Sequence, residues 1–252
     1  MDFINTEDGK TLYKRYVDIC DRLYYGEIRS SRFLYPNEVK LIISIFNKYN
    51  IKYREFKSHD KAERTLLYFS NLDFELANED LDNVTALYLE QKDHGLSHRD
   101  ILGSLMSLSI ERELIGDILF DNNKVEISVM SEVSNFIRDN LHKIKHLNVE
   151  LEEKNSPYLS TSLVKYIDTN EVISSLRLDN FVSAATNLSR GKAQELINRG
   201  LVKLDYVVEE NPAKAIESGA CVSIRSYGRF YLLEQLGRTR KDKVRILMRK
   251  ML

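Results

Sequence analysis

The sequence RLDNFVSAATNLSRGKAQELINR, Arg177–Arg199, decides the organisation of the chain because two helical patterns meet within it at Ser189. Apolar residues recur at helical spacing on both sides of that serine, which predicts one helix before it and another after it. Serine is a good cap for the second helix, since its hydroxyl accepts a hydrogen bond from an amide of the first turn. Arg190 and Lys192 then lie in that turn, where the dipole disfavours cations but the exposed amides favour an anion. The pattern predicts a phosphate clamp, and a solvated basic helix start explains the local residues equally well.

Length and composition are those of a chain with about two domains, or three small ones. Of the 252 residues, 43% are hydrophobic and 30% are charged. The N-terminus has no apolar segment of the signal-peptide kind, and there is no apolar run long enough to cross a bilayer. We therefore expect a cytoplasmic protein without a membrane span. The two cysteines, Cys20 and Cys221, lack metal-ligand spacing and are expected to be small buried hydrophobes.

Positive charge collects in the last third of the chain. Residues 177–252 contain 15 Lys and Arg against 8 Asp and Glu, whereas residues 1–176 contain 22 against 30. A basic end on an acidic body favours a polyanion partner, here structured RNA, at that end. We expect the basic residues of this region to line one groove, and the alternative is that they form a scattered solubilising surface. These residues are Arg177, Arg190, Lys192, Arg199, Lys203, Arg225, Arg229, Arg238, Arg240, Lys241, Lys243 and Arg245.

The order of predicted elements indicates an α+β protein in three parts. Residues 1–80 read as a helical α/β region with helices at 8–26 and from Pro36, and strands at 51–56 and 66–69. Residues 81–175 read as a ferredoxin-like domain of the kind that many RNA-recognition domains share. Its predicted order is strand 84–90, helix 98–109, strands 115–121 and 124–130 joined by a turn at 121–123, helix 131–144 and strand 147–153. Residues 176–252 read as two helices followed by short strands around 201–208, 221–225, 229–233 and 244–249, with a turn at 239–242 and the last basic residues in a tail.

No group of residues predicts catalysis, a metal or a cofactor. His98-Arg99-Asp100 has the letters of a kinase catalytic loop but lacks that family's other motifs, and Ser97 with Asp100 predicts a helix cap instead. His59 near Glu63 is interpreted as a loop or capping residue. His142 and His146 have i,i+4 spacing, yet the lysines that they flank would oppose a cation, so we interpret them as a solvated helix end.

Two stretches, RLDNFVSAATNLSRGKAQELINRGLVKLD and SIRSYGRFYL, resemble the αL RNA-binding domain named after the fourth protein of the small ribosomal subunit, here the S-four domain. The segments at 32–40, 61–64 and 95–118 are similar to YlmH-type S-four proteins, so the likeness spans nearly the whole chain. The chain departs from the usual pattern at the turn after Lys203, where Asp205-Tyr206 replaces Asn-Gly. Further departures are Ala220, Ser226, Ser58-His59 and Ser109. The resemblance implies RNA-facing positions at Arg190, Lys192, Gln194, Arg199 and Lys203.

The resemblance further implies a non-catalytic factor that binds ribosomal and transfer RNA on the large ribosomal subunit. Such proteins are linked to rescue of stalled nascent chains and sometimes to cell division. No cofactor and no small-molecule substrate are expected. Two alternatives stay open: an RNA-modifying enzyme of the pseudouridine synthase type, and a protein adaptor for which RNA is incidental. The first lacks a recognisable catalytic aspartate within residues 1–176.

Overall fold

The computed structural model describes residues 3–76, 81–90, 95–120, 124–160 and 166–251. The chain divides into two compact units, Met1–Leu163 and Val164–Leu252. Helices and antiparallel sheets occur in both units, which confirms the α+β class. The boundaries of the three expected domains stay a prediction. Within the described residues, every helix is too short or too polar to cross a bilayer.

The N-terminal part of the first unit combines two helices with a small antiparallel sheet in the order β1-β3-β2. Helix α2 begins with Pro36 at its first position, as expected, and the Glu38 carboxylate accepts the backbone N–H of Tyr35 at 2.6 Å. Arg29 and Ser30 form a short strand beside β3. The bounds are α1 Glu7–Asp21, β1 Arg29–Ser30, α2 Pro36–Lys48, β2 Lys52–Lys57 and β3 Thr65–Ser70.

Strand β3 joins this part to the rest of the first unit because it is buried on both faces. Successive side chains of a strand point to opposite sides. Leu67 and Phe69 belong to the core beneath α1 and α2, whereas Leu66 and Tyr68 belong to the core that continues into the following sheet. A strand buried on both faces reads as an unbroken apolar run. The sequence TLLYFS at 65–70 therefore shows no alternation.

The second sheet of this unit has the strand order β5-β6-β4-β9, and all its neighbours are antiparallel. This order is that of a split βαβ repeat, and it confirms the ferredoxin-like prediction. The expected helix 131–144 is too long, because α4 ends at Asn140 and a short hairpin follows. The predicted turn at 121–123 lies outside the described residues. The bounds are β4 Val84–Glu90, α3 His98–Ser107, β5 Ile115–Phe120, β6 Lys124–Met130, α4 Ser131–Asn140, β7 Lys143–Ile144, β8 Leu147–Asn148 and β9 Glu152–Glu153.

Glu126 on β6 ties the segment after β9 to this sheet, and it predicts how the first unit responds to acid. The side chain is buried, and its carboxylate accepts from Lys154 Nζ at 3.0 Å and from the Ser160 amide at 2.7 Å. Burial raises the pKa of Glu126, but hydrogen bonds from Lys154, Ser160 and Lys124 outweigh it and lower the pKa to about 2. The stabilisation that ionised Glu126 gives to the first unit is therefore present above the ordinary glutamate pKa of about 4.3 and is lost as the pH falls towards 2.

We expect Glu126→Gln to remove the contribution of this residue to the acid dependence of stability, measured by urea unfolding between pH 2 and 7. An unchanged slope between pH 2 and 4 would contradict this.

The second unit is a six-stranded antiparallel sheet, in the order β10-β15-β14-β13-β11-β12, with two helices against one face. Phe181 and Val182 of α5 and Ile197 of α6 pack on Phe230 and Leu232 of the sheet. Strands β14 and β15 form one long hairpin, so the residues interpreted as a basic tail belong to the sheet and its turn. The bounds are β10 Tyr166–Ile173, α5 Leu178–Thr186, α6 Arg190–Asn198, β11 Val202–Leu204, β12 Val207–Val208, β13 Cys221–Ile224, β14 Gly228–Arg238 and β15 Val244–Met251.

Candidate nucleic-acid interface

The junction between α5 and α6 has the capped geometry that its sequence predicts. Asn187 adopts a left-handed conformation with φ 56° and ends α5. The Ser189 hydroxyl accepts the backbone N–H of Lys192 at 3.4 Å, so α6 begins at Arg190. The remaining first-turn amides have no acceptor within the helix. Gly200, with φ 65°, follows the last turn of α6.

A buried carboxylate, Asp179, organises the start of α6. Its side chain is completely buried in the first turn of α5. Arg177 donates to it from Nε and Nη2, at 3.1 and 2.9 Å, and Arg190 donates from Nε at 3.0 Å. Gln194 donates from Nε2 at 2.8 Å. One carboxylate therefore holds three of the side chains that were predicted to face RNA.

The cluster around Asp179 keeps an excess positive charge at the surface. Two guanidinium groups face one carboxylate, and the side chains of Arg177 and Arg190 are 37% and 51% exposed. Burial disfavours the ionised form of Asp179, but hydrogen bonds from Arg177, Gln194 and Arg190 outweigh it and hold the pKa of that carboxyl well below its usual range. Each arginine is thus fixed along one edge while the rest of its planar fork can bind an anion such as phosphate. Fixing the side chains beforehand reduces the entropy lost on binding.

Sequence reasoning did not identify Asp179. It stands two residues after Arg177, and nothing local shows that it also meets residues 11 and 15 positions later. One clue was available, because Arg190 and Gln194 are four residues apart and share one face of α6.

The other predicted residues of the helices and the first strands lie on the surface of the second unit. Lys192 is exposed in the first turn of α6, and Arg199 is exposed at its end, 3.8 Å from Glu195. Lys203 on β11 is aligned with Ser223 on β13, which is aligned with Arg229 on β14. Arg225 is exposed in the turn between β13 and β14. The structure thus aligns Lys203 and Arg229 across the sheet.

The residues furthest along the chain lie at one end of the β14–β15 hairpin. Arg238 ends β14 and binds Asp242 at 2.7 Å, and Lys241 and Lys243 are exposed in the same turn. Most of the predicted set therefore lies in three groups, at the start of α6, across β11 to β14 and at the β14–β15 turn, while Arg199 lies at the end of α6 and Arg225 in the turn between β13 and β14. Whether all three bind one RNA stays a prediction.

The residues considered for chemistry lie in a helix cap, in the core or beyond the end of a helix. Asp100 caps α3 by accepting the Ser97 amide at 2.9 Å, and hydrogen bonds from Lys145 and Ser97 lower the pKa of Asp100 to about 2. His59 is buried with Nε2 at 3.5 Å from Asp117. His142 and His146 do not share a helix, because α4 ends before them. The described residues contain no cluster of three or more potential metal ligands. Burial raises the pKa of the Cys221 thiol to about 11.

Two domain families match parts of this chain, and two known proteins are similar to it. Residues 78–157 match the putative RNA-binding domain in YlmH. Residues 176–220 match the S4 domain, which is the S-four domain named above. The ribosome-associated protein quality control protein P2 of Bacillus subtilis (strain 168) is 30% identical over 216 residues, which cover 85% of this chain and 84% of that protein. The cell division protein ylmH from Streptococcus pneumoniae has 18% identity and a TM-score of 0.50, covering 59% of this chain and 92% of its own. That second likeness shows the fold alone.

The likeness to the Bacillus protein covers 216 residues and therefore extends into both units. It includes more of the chain than residues 78–157 and 176–220 together. The S4 domain match contains the capped junction and the Asp179 cluster. By this evidence the chain belongs to the YlmH family of RNA-binding proteins, with an S4 domain at its C-terminal end.

Proposed function

We propose that this protein is a non-catalytic factor that binds ribosomal and transfer RNA on the large ribosomal subunit and takes part in quality control of stalled nascent chains. The observation that carries the proposal is the pair of arginines that Asp179 fixes at the start of α6. The name of the Bacillus relative and the two RNA-binding domain matches support the ribosomal partner. A factor with this partner works in the cytoplasm.

Binding of this kind should depend strongly on salt. If about four to six phosphates are neutralised, the logarithm of the association constant falls with the logarithm of the salt concentration at a slope of about −3 to −5. We expect this slope in a filter-binding assay with purified large-subunit RNA. A flat response would contradict an electrostatic clamp.

Sedimentation of cell lysate through a sucrose gradient tests the partner. The proposal predicts that the protein migrates with large subunits at low salt and is released at high salt. A protein that stays at the top of the gradient at low salt would contradict it.

A pull-down with and without ribonuclease separates RNA binding from the adaptor alternative, since an adaptor keeps its protein partners after the RNA is digested. Conversion of uridine in ribosomal RNA by the purified protein would contradict the non-catalytic role.

A further inference from the structure

The sheet of the second unit has a second surface, on the face opposite to α5 and α6. Phe230 and Leu232 point into the core beneath the helices, so Arg229 and Tyr231, which alternate with them, point the other way. Cross-strand partners share a face. We call this surface the tyrosine–arginine face, and its members are Tyr166, Lys203, Tyr206, Arg229, Tyr231 and Arg249.

Aromatic rings and guanidinium groups are paired on the tyrosine–arginine face. The Arg229 guanidinium lies 5.6 Å from the centre of the Tyr206 ring, and that of Arg249 lies 5.0 Å from the centre of the Tyr166 ring. Both arginines are also fixed by hydrogen bonds: Arg229 donates to Ser223 Oγ at 3.2 Å, and Arg249 donates twice to Asp168 at 2.7 Å. The rings and the cations therefore hold defined positions beside each other.

Tyr206 occupies a backbone position that favours glycine. Asp205 and Tyr206, with φ 47° and 71°, form the two-residue turn between Leu204 and Val207. Such a turn needs positive φ at both positions and prefers Asn-Gly, because a Cβ atom is disfavoured there. Strained residues of this kind cluster at functional sites. The Tyr206 side chain is half-buried, and hydrogen bonds with Cys221 and Tyr231 hold its ring in place while part of the ring stays exposed.

The charge of the tyrosine–arginine face selects among possible partners. Lys203, Arg229 and Arg249 carry three positive charges, and the negative charges on this face are those of Asp168 and Glu234, which are aligned with Arg249 and Leu247 on neighbouring strands. Alternating aromatic and cationic groups suit a nucleic-acid strand, since bases stack on the rings while the cations meet the phosphates. A basic face is also poorly suited to a basic protein partner.

We propose that the tyrosine–arginine face binds unpaired RNA bases by stacking, with the ring of Tyr206 as its principal platform and Arg229 as the adjacent phosphate ligand. The site is separate from the start of α6 and adds a preference for single-stranded segments to a domain that otherwise holds phosphates. The inference rests on the proposed function, because it supposes that the partner is RNA. Stacking on an aromatic side chain contributes enough binding to change affinity about tenfold or more.

Two changes at Tyr206 test the platform in the full-length protein. Tyr206→Leu removes the ring, and Tyr206→Gly removes it while fitting the positive φ without backbone strain, and circular dichroism shows that both variants are folded before binding is compared. We expect both to weaken binding to a fluorescent single-stranded oligouridine of about twelve nucleotides roughly tenfold in fluorescence anisotropy. Tyr206→Phe, which keeps the ring, should restore most of the affinity. Tyr25→Leu, at a tyrosine that is 85% exposed in the first unit, is the matched control and should bind as the unmodified protein does.

An abasic oligomer of the same length separates stacking from charge, since it keeps the phosphates and lacks the bases. We expect the Tyr206 variants and the unmodified protein to bind it equally. Oligouridine affinity that is unchanged in both Tyr206→Leu and Tyr206→Gly would overturn the inference, as would an equal loss on the abasic oligomer. Failure of the proposed function looks different: the unmodified protein would then not bind structured RNA or migrate with large subunits.

Discussion

Replacing Asp179 with asparagine is expected to destabilise the second unit by about 3 kcal/mol and to weaken RNA binding about tenfold. Asparagine keeps the shape but loses the charge, and its NH₂ group places a donor among the donors of Arg177, Arg190 and Gln194. Asp179 is completely buried, so its effect on RNA acts through the two arginines that it positions. Urea unfolding gives the first quantity, and a gel-shift assay with structured RNA gives the second.

The acid dependence of stability supplies a second readout for Asp179. Because the pKa of its carboxyl is lowered in the folded protein, its stabilisation is present above the ordinary value of about 3.9 and is lost as the pH falls through the folded value. The asparagine variant should lack this dependence.

Asp18→Asn is a matched control, because Asp18 pairs with Arg22 at an exposed site. We expect it to change the free energy of unfolding by less than about 0.5 kcal/mol. Equal stability and RNA affinity of Asp179→Asn and the unmodified protein would show that the cluster does not position the arginines.

Replacing Arg190 and Lys192 together with alanine is expected to lower the affinity for structured RNA about 100-fold. A hydrogen bond to a charged group contributes about 1.5–3 kcal/mol, and two such contacts are lost. The slope of affinity against salt should become shallower by about 2. The fold should persist, since both side chains are exposed and Arg177 and Gln194 still bind Asp179.

A charge-matched control separates this local effect from net charge. Lys10 and Lys40 are exposed in the first unit, and replacing both with alanine removes the same charge. That control should bind RNA nearly as well as the unmodified protein. If the two double variants lose affinity equally, the helix start has no special role and the binding is a general charge effect.

Local sequence rules predicted the parts of the fold that depend on neighbouring residues. The cap at Ser189 and the proline at the start of α2 each involve one turn of helix, and the structure confirms both. The order of strands and helices in the ferredoxin-like part was also correct. Helix α4 was predicted too long because Leu141 and Ile144 are buried, which continues a helical pattern into a hairpin.

The tertiary parts of the site could not be predicted in this way. The contacts of Asp179 with Arg190 and Gln194 form only when α5 and α6 pack, and an aspartate in the first turn of a helix ordinarily reads as a charge that favours the helix dipole. The turn at Asp205-Tyr206 departs from the expected Asn-Gly, yet it keeps positive φ at both residues because β11 and β12 pair around it. The turn at 239–242 and the strand after it were expected, but β14 continues to Arg238, further than its pattern indicates, because bulges interrupt its alternation.

Lysine footprinting tests the central claim most directly. The full-length protein, alone and bound to purified large subunits, is treated with an acetylating reagent, and each lysine is quantified by mass spectrometry. The account predicts that Lys192 and Lys203 become protected on binding, while Lys40, which is exposed in the first unit, reacts as before. Protection of Lys40 with Lys192 and Lys203 still fully reactive would contradict it.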